Sequence, residues 1–193
     1  MISAIILAAG ESKRMGQPKM LLAWGKTTVL GQVIATFRQA GIEHIFVVTG
    51  GARQEVDQIV NQYGARSIFN HEYANGEMLS SLQLGLMAQM DQVRATLIGL
   101  GDQPQVQVAS IELMCETFRD KKSKLIVPSY QHRRGHPWLV ERSLWQELLA
   151  LKSPQSPRDF LNQHAEAIEY VEVNTPTILA DLDTPKDYQT SHP

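Results

Sequence analysis

Apolar and polar positions along the chain follow two periods. Ile5-Ile6-Leu7-Ala8-Ala9, Ile45-Phe46-Val47-Val48 and Ala95-Thr96-Leu97-Ile98-Gly99-Leu100 are short apolar runs, partly β-branched, which predicts strands covered on both faces. Between them Val29, Val33, Ile34 and Phe37 recur at helical spacing and stop at Gly41, and Val56, Ile59 and Val60 repeat the pattern before Gly64. Each glycine is a suitable helix end. Met78, Leu82, Leu86 and Met90 predict a further helix, and Ile111, Leu113, Met114 and Phe118 another, with the methionines as core residues. In the later third, Leu125-Ile126-Val127, Trp138-Leu139-Val140 and Ile168-Glu169-Tyr170-Val171 predict strands, with a helix around Leu144 to Leu151. Strands and helices in alternation predict an α/β, Rossmann-like fold, with a mainly parallel sheet and helices on both faces. Ligands of such a sheet bind beyond the carboxyl ends of its strands. No repeat, linker or low-complexity tract interrupts the pattern, so residues 1–193 are expected to form one domain.

Composition narrows the partners. A formal charge of −2 and a pI near 6.3 give no global attraction to nucleic acid or an anionic membrane, so any anion site must be local. The content, 43% hydrophobic and 20% charged, is that of a globular protein. The single Cys115 cannot form an internal disulfide and is expected on the buried face of a helix. No apolar stretch approaches the ~18 residues that span a bilayer. Met1 to Ala9 lacks a basic leading region and runs into a charged loop, so no signal peptide is expected and a cytoplasmic location is.

Chemistry concentrates in the loop leaving the first strand, Gly10-Glu11-Ser12-Lys13-Arg14-Met15-Gly16-Gln17-Pro18-Lys19. A glycine-bounded loop carrying Arg14 and Lys19 suits a polyphosphate received by backbone N–H groups and cations. Both cations are expected in a surface loop. The dinucleotide fingerprint G-x-G-x-x-G is absent, since Glu11 and Ser12 follow Gly10, and Met20 stands where a Walker loop ending in Gly25-Lys26-Thr27 would need glycine. Asp102, in Gly101-Asp102-Gln103-Pro104, follows a buried strand. A carboxylate there, across from a cationic loop, could hold Mg²⁺, which takes one or two carboxylates plus phosphate oxygens; a turn aspartate is the plainer alternative. Thr184-Pro185 reads as the cap and first position of a terminal helix.

The first strand and loop resemble the signature L-A-A-G-x-S-x-R-M-G-x-x-K of nucleotidyltransferases with a GT-A-like fold, specifically the molybdenum cofactor cytidylyltransferase group. Three later segments also resemble it: Asn75-Gly76-Glu77-Met78-Leu79-Ser80-Ser81-Leu82, Arg134-Gly135-His136-Pro137 and Asp181-Leu182-Asp183-Thr184-Pro185. The resemblance implies transfer of a nucleotidyl group from CTP to a terminal phosphate of molybdopterin, with Mg²⁺ and release of pyrophosphate. It implies nucleotide contacts at Leu7, Ala8, Ala9, Gly10, Ser12, Arg14, Lys19, Ser81 and Asp102, and a metal site on Asp102 and Asp183, with Asp181 the weaker ligand. Arg134, Gly135 and His136 would face an anionic acceptor. Arg14, Lys19 and Asp102 would carry the reaction, and the product could pass to a molybdenum hydroxylase. Guanylyl relatives carry glycine at the position of Ala9, where a methyl would crowd a purine. Departures from the pattern at Glu77-Met78-Leu79 and at Pro157-Arg158-Asp159-Phe160-Leu161 leave room for a sugar or polyol phosphate acceptor, Lys186 is a conservative departure, and GTP in place of CTP is a further alternative. A non-catalytic accessory protein that binds the cofactor is the alternative from another class; a nicotinamide oxidoreductase is disfavoured by the missing fingerprint.

Overall fold

The computed structural model of the chain describes residues 1–74 and 78–193. Asn75, Gly76 and Glu77, which begin the serine-bearing segment, lie outside the described residues. β1 (Ile2–Ala8) is followed by a two-stranded hairpin, β2 (Ala23–Trp24) and β3 (Thr27–Thr28), then α1 (Val29–Gln39), β4 (Ile45–Thr49), α2 (Arg53–Gln62) and β5 (Arg66–Phe69). After α3 (Met78–Met87) come β6 (Ala95–Leu100), α4 (Val108–Lys121), β7 (Leu125–Tyr130), β8 (Arg133–Arg134) and β9 (Trp138–Glu141). The chain continues through α5 (Trp145–Ala150), α6 (Pro157–Gln163) and β10 (Ile168–Glu172) to α7 (Pro185–Ser191).

Eight strands make one sheet in the order β10-β7-β9-β6-β1-β4-β5, with β8 paired to β7. β1 lies parallel to both β4 and β6, β5 is parallel to β4, and β10 is parallel to β7. β9 runs antiparallel between β6 and β7. The short stretch from Tyr130 to Trp138 is the cause, because returning parallel would need a crossover of a dozen or more residues. The expected mainly parallel sheet is therefore present, with two reversed strands, β8 and β9, in the half that sequence periodicity leaves irregular.

Alternate residues of β1 enter opposite layers, as a two-residue period requires. Ala4, Ile6 and Ala8 pack with Leu30, Val33, Ile34 and Phe37 of α1, Val56 and Val60 of α2, and Ile111, Met114 and Cys115 of α4. Ile5, Leu7 and Ala9 pack on the other face with Leu79, Leu82 and Leu86 of α3, Trp145 and Leu148 of α5, and Phe160 and Leu161 of α6. Each fully buried Leu or Ile in these layers contributes about 1.5–3 kcal/mol. α3 lies close on β1 because residue 85 is glycine: a Cβ there would stand 2.6 Å from Ile5 Cγ2. Cys115 is buried, and burial pushes its thiol up to about 11, so it is a core residue. Among the described residues no helix is long and apolar enough to cross a membrane.

Candidate active site

The carboxyl ends of β1 and β6 lie side by side, and the loop between β1 and the hairpin folds back over them. Ser12 takes a left-handed conformation (φ 55°). Its carbonyl accepts from Met15 N at 2.9 Å and its Oγ accepts from Lys19 N at 3.0 Å. This closure swings the Lys19 side chain inward, where Nζ pairs with Asp102 Oδ2 and lies 3.4 Å from Asp183 Oδ1. Arg14 stays outside, 70% exposed, with its guanidinium 3.0 Å from Asp183 Oδ2. The expectation of two surface cations thus holds for Arg14 and is corrected for Lys19, whose side chain is 13% exposed because two carboxylates draw it under the loop.

The segments carrying those carboxylates are stitched together. Leu182 N donates to Asp102 O at 3.1 Å, and the buried Gln103 donates through Nε2 to Asp181 Oδ1 at 2.7 Å and to Ile178 O at 3.3 Å. Burial, and then the neighbouring Asp102 charge, raise the Asp181 carboxyl above the usual carboxylate range. The Lys19 ammonium reaches Asp102 and Asp183 together, so these two side chains already accommodate one small cation, which fits a divalent ion that uses one or two carboxylates. Among the described residues no three His, Cys, Asp or Glu side chains converge as a ready-made metal cluster. Asp181 turns toward Gln103 instead.

A cavity of about 360 Å³ opens beside this cluster, lined by Leu7, Ala9, Gly10, Lys19, Tyr73, Ser81, Asp102, Asp181 and Asp183. Three of the residues expected to contact nucleotide, Ala8, Ser12 and Arg14, do not line it. The Ala8 side chain points into the opposite layer, since β1 alternates, and Ser12 Oγ is occupied by Lys19 N. Ser81, on α3, does line the cavity; its Oγ accepts from Asn70 Nδ2 at 3.0 Å. Asn70, 4% exposed, and Tyr73 are site residues that sequence reasoning missed. Their only signal was the end of β5, an edge strand with no apolar run to announce it.

A second cavity, of about 590 Å³, adjoins the first and shares Met78, Leu100 and Asp181 with it. Arg134, Gly135 and His136 all line it, as does Arg158 of α6. Arg134 is held by two further residues not anticipated from sequence: Nε donates to Tyr170 Oη at 2.8 Å and a terminal nitrogen donates to Asn162 Oδ1 at 3.0 Å. Gly135 is a packing position, because a Cβ there would stand 2.5 Å from Ile178 O. His136 donates from its backbone N to that same carbonyl at 3.0 Å. Its ring stacks on Trp138 with centroids 4.4 Å apart and an 18° interplanar angle. Burial, with Arg158 adding to it, pushes the imidazole down to about 4. Of the two side chains expected to meet an anion, only Arg134 is therefore charged at neutral pH.

Residues 4–168 match the family of MobA-like NTP transferase domains. The molybdenum cofactor cytidylyltransferase of Escherichia coli K12 is 30% identical over 98% of this chain and 95% of its own length. The crystal structure of Rv0371c from Mycobacterium tuberculosis H37Rv superposes with a TM-score of 0.87 at 28% identity, covering 98% of this chain and 95% of that one. The manganese complex of Rv0371C from the same organism gives 0.82 at 26% identity, covering 99% and 97%. The family match runs from within β1 to the start of β10 and so takes in the cation loop, Asp102 and the Arg134–His136 loop. The chain belongs to the MobA-like NTP transferase family of nucleotidyltransferases.

Proposed function

We propose that this protein is a CTP:molybdopterin cytidylyltransferase that forms molybdopterin cytosine dinucleotide and releases pyrophosphate. The observation that carries the reading is the junction of the two cavities at Met78, Leu100 and Asp181, directly beside Lys19, Asp102 and Asp183. Two substrates in adjoining cavities would meet where the charges are. The 30% identical relative with nearly full coverage in both directions supports cytidylyl transfer and the acceptor.

An oxygen of the acceptor phosphate bonds to the α-phosphorus of CTP as the bond to the β-phosphate oxygen breaks, and pyrophosphate leaves. The acceptor needs no base, because the second ionisation of a phosphate monoester lies near ~6. The protein's part is positioning and charge neutralisation, which dominate catalysis of phosphoryl-type transfer. Lys19 and Arg14, both within reach of Asp183, neutralise the leaving pyrophosphate. Asp102 and Asp183 would hold Mg²⁺, which when bound would supply positive charge to the phosphate oxygens. Ser81 and Tyr73 flank the nucleoside, and the Ala9 methyl at the cavity wall favours a pyrimidine.

A screen of CTP, GTP, UTP and ATP with Mg²⁺ against molybdopterin and a panel of sugar and polyol phosphates, reading pyrophosphate, tests this. Release confined to CTP with molybdopterin is expected. Release with GTP, or only with a sugar or polyol phosphate, would overturn the substrate assignment, and no release with any pair would overturn enzymatic transfer.

A further inference from the structure

Asp183 belongs to no strand or helix, yet its carboxylate meets two cations, Lys19 Nζ at 3.4 Å and the Arg14 guanidinium at 3.0 Å. What fixes it lies on either side in the chain. Before it, Leu182 donates its backbone N–H to Asp102 O at 3.1 Å and shares a buried cluster with Trp24 and Val29. After it, Thr184 caps α7 by accepting from Asp187 N, and the Asp187 carboxylate accepts in return from Thr184 N at 2.8 Å. α7 has seven residues, none of them buried. A helix so short does not hold itself together in water. Its place is set by an aromatic clasp on the β2–β3 hairpin. The Tyr188 ring lies against Trp24 with centroids 6.4 Å apart, and its Oη donates to Ala23 O at 2.7 Å. His192 packs edge-to-face with both rings, 5.9 Å from Trp24 and 5.1 Å from Tyr188.

Trp24 is joined just as closely to Lys19. The turn Lys19–Leu21 leads into β2; Leu22 N donates to Lys19 O at 3.3 Å, and Val29 N, at the start of α1, donates to Leu22 O at 2.9 Å. One indole is thus tied to the segment carrying the cation and, through Leu182 and Tyr188, to both flanks of the carboxylate. We infer that Trp24 and Tyr188 are positioning residues: their contact straps α7 to the hairpin and so sets Asp183 beside Lys19. The inference rests on reading Lys19 and Asp183 as parts of a nucleotidyl-transfer site, where a misplacement of about 1 Å costs up to about 10²-fold. α7 thereby serves the site, although among the described residues none of its own lines the first cavity.

Zero-length cross-linking reads this geometry without metal or turnover. A carbodiimide activates a carboxylate, and a neighbouring amine displaces the urea to form an amide, so contact between Lys19 and Asp183 leaves their peptides joined for mass spectrometry. The Lys19–Asp102 product is the internal control, because Asp102 follows β6 and not α7. In Tyr188→Ala the Lys19–Asp183 product should fall about tenfold relative to that control, and Tyr188→Phe, which keeps the ring, should recover most of it. His192→Ala, at an exposed position, should give a smaller fall and keeps the test open if Tyr188→Ala does not fold. The Mg²⁺ concentration for half-maximal pyrophosphate release should rise about 10-fold in Tyr188→Ala. That rise should vanish on an Asp183→Asn background and persist on Asp102→Asn, because Tyr188 acts through Asp183; a merely structural role would add to both. An unchanged cross-link ratio in Tyr188→Ala or, should that variant not fold, in His192→Ala, or a Mg²⁺ effect that adds equally on both backgrounds, would overturn the inference. A parent protein that releases no pyrophosphate would instead overturn the enzymatic reading, while the cross-link ratio still decides whether the clasp places Asp183.

Discussion

Lys19 and Asp102 are eighty-three positions apart and form an ion pair with side chains only 13% and 15% exposed, and Asp183 joins it at 3.4 Å from the Lys19 ammonium. The ammonium therefore stands where a metal between the two carboxylates would compete with it. Lys19→Ala should leave two like charges facing each other, since removing one partner of a largely buried pair is destabilising. We expect a loss of about 1–3 kcal/mol, or roughly 2–10 °C in Tm, for Lys19→Ala without metal, and almost none for the exposed Arg14→Ala. Added Mg²⁺ should stabilise Lys19→Ala more than the parent. Thermal melts with and without Mg²⁺ check this; an equal Mg²⁺ effect in both proteins would separate Lys19 from the cation site. Turnover should fall by about 10²-fold or more in either variant.

Asp102→Asn and Asp183→Asn keep the shape of each side chain and remove its charge. The Mg²⁺ concentration needed for half-maximal pyrophosphate release should rise in both, most in Asp102→Asn, because Asp102 is the less exposed of the two, 15% against 36%. Superimposable Mg²⁺ titrations in parent and both variants would remove these residues from the metal site.

Ala9 lines the first cavity at the end of β1, with Tyr73 and Ser81 also on its wall. Ala9→Gly should raise the GTP rate relative to CTP, by no more than about 10–200-fold for one methyl. Initial rates with the two nucleotides decide it, and an unchanged ratio would move base selection to Ser81 or Tyr73.

The His136 imidazole, held down to about 4 by burial and by Arg158, ties stability to acid. Its folded value lies below the ordinary value of 6.5, so between about 4 and 6.5 the unfolded chain binds the proton and the folded one does not. The contribution is fully present above pH 6.5 and is lost as the pH falls through the folded value, up to ~3 kcal/mol in all. Urea midpoints from pH 7 to 4.5 should fall more steeply in the parent than in His136→Asn. Parallel curves would mean that the ring is not neutral in the folded state.

Local pattern in the sequence determined the elements whose residues are buried on both sides. β1, β4 and β6 are short, largely apolar runs of the kind a strand covered on both faces requires, and α1 and α4 carry an apolar stripe of helical period. The Thr184 cap of α7 was legible for the same reason, since it bonds three residues ahead, to Asp187 N. β5 was not: Arg66 and Ser67 are exposed on an edge strand, so burial left no imprint there, and Asn70 and Tyr73 went unseen with it. The capping box of α6, Ser156 with Asp159, was present in the sequence but had no long apolar stripe behind it. Only the tertiary structure decided that Lys19 turns inward to two carboxylates and that His136 is neutral. Both depend on partners dozens of residues away: Asp102 and Asp183 for Lys19, the Ile98 carbonyl for His136. Charge state and side-chain direction are set by burial and by neighbours in space, and a linear pattern carries neither.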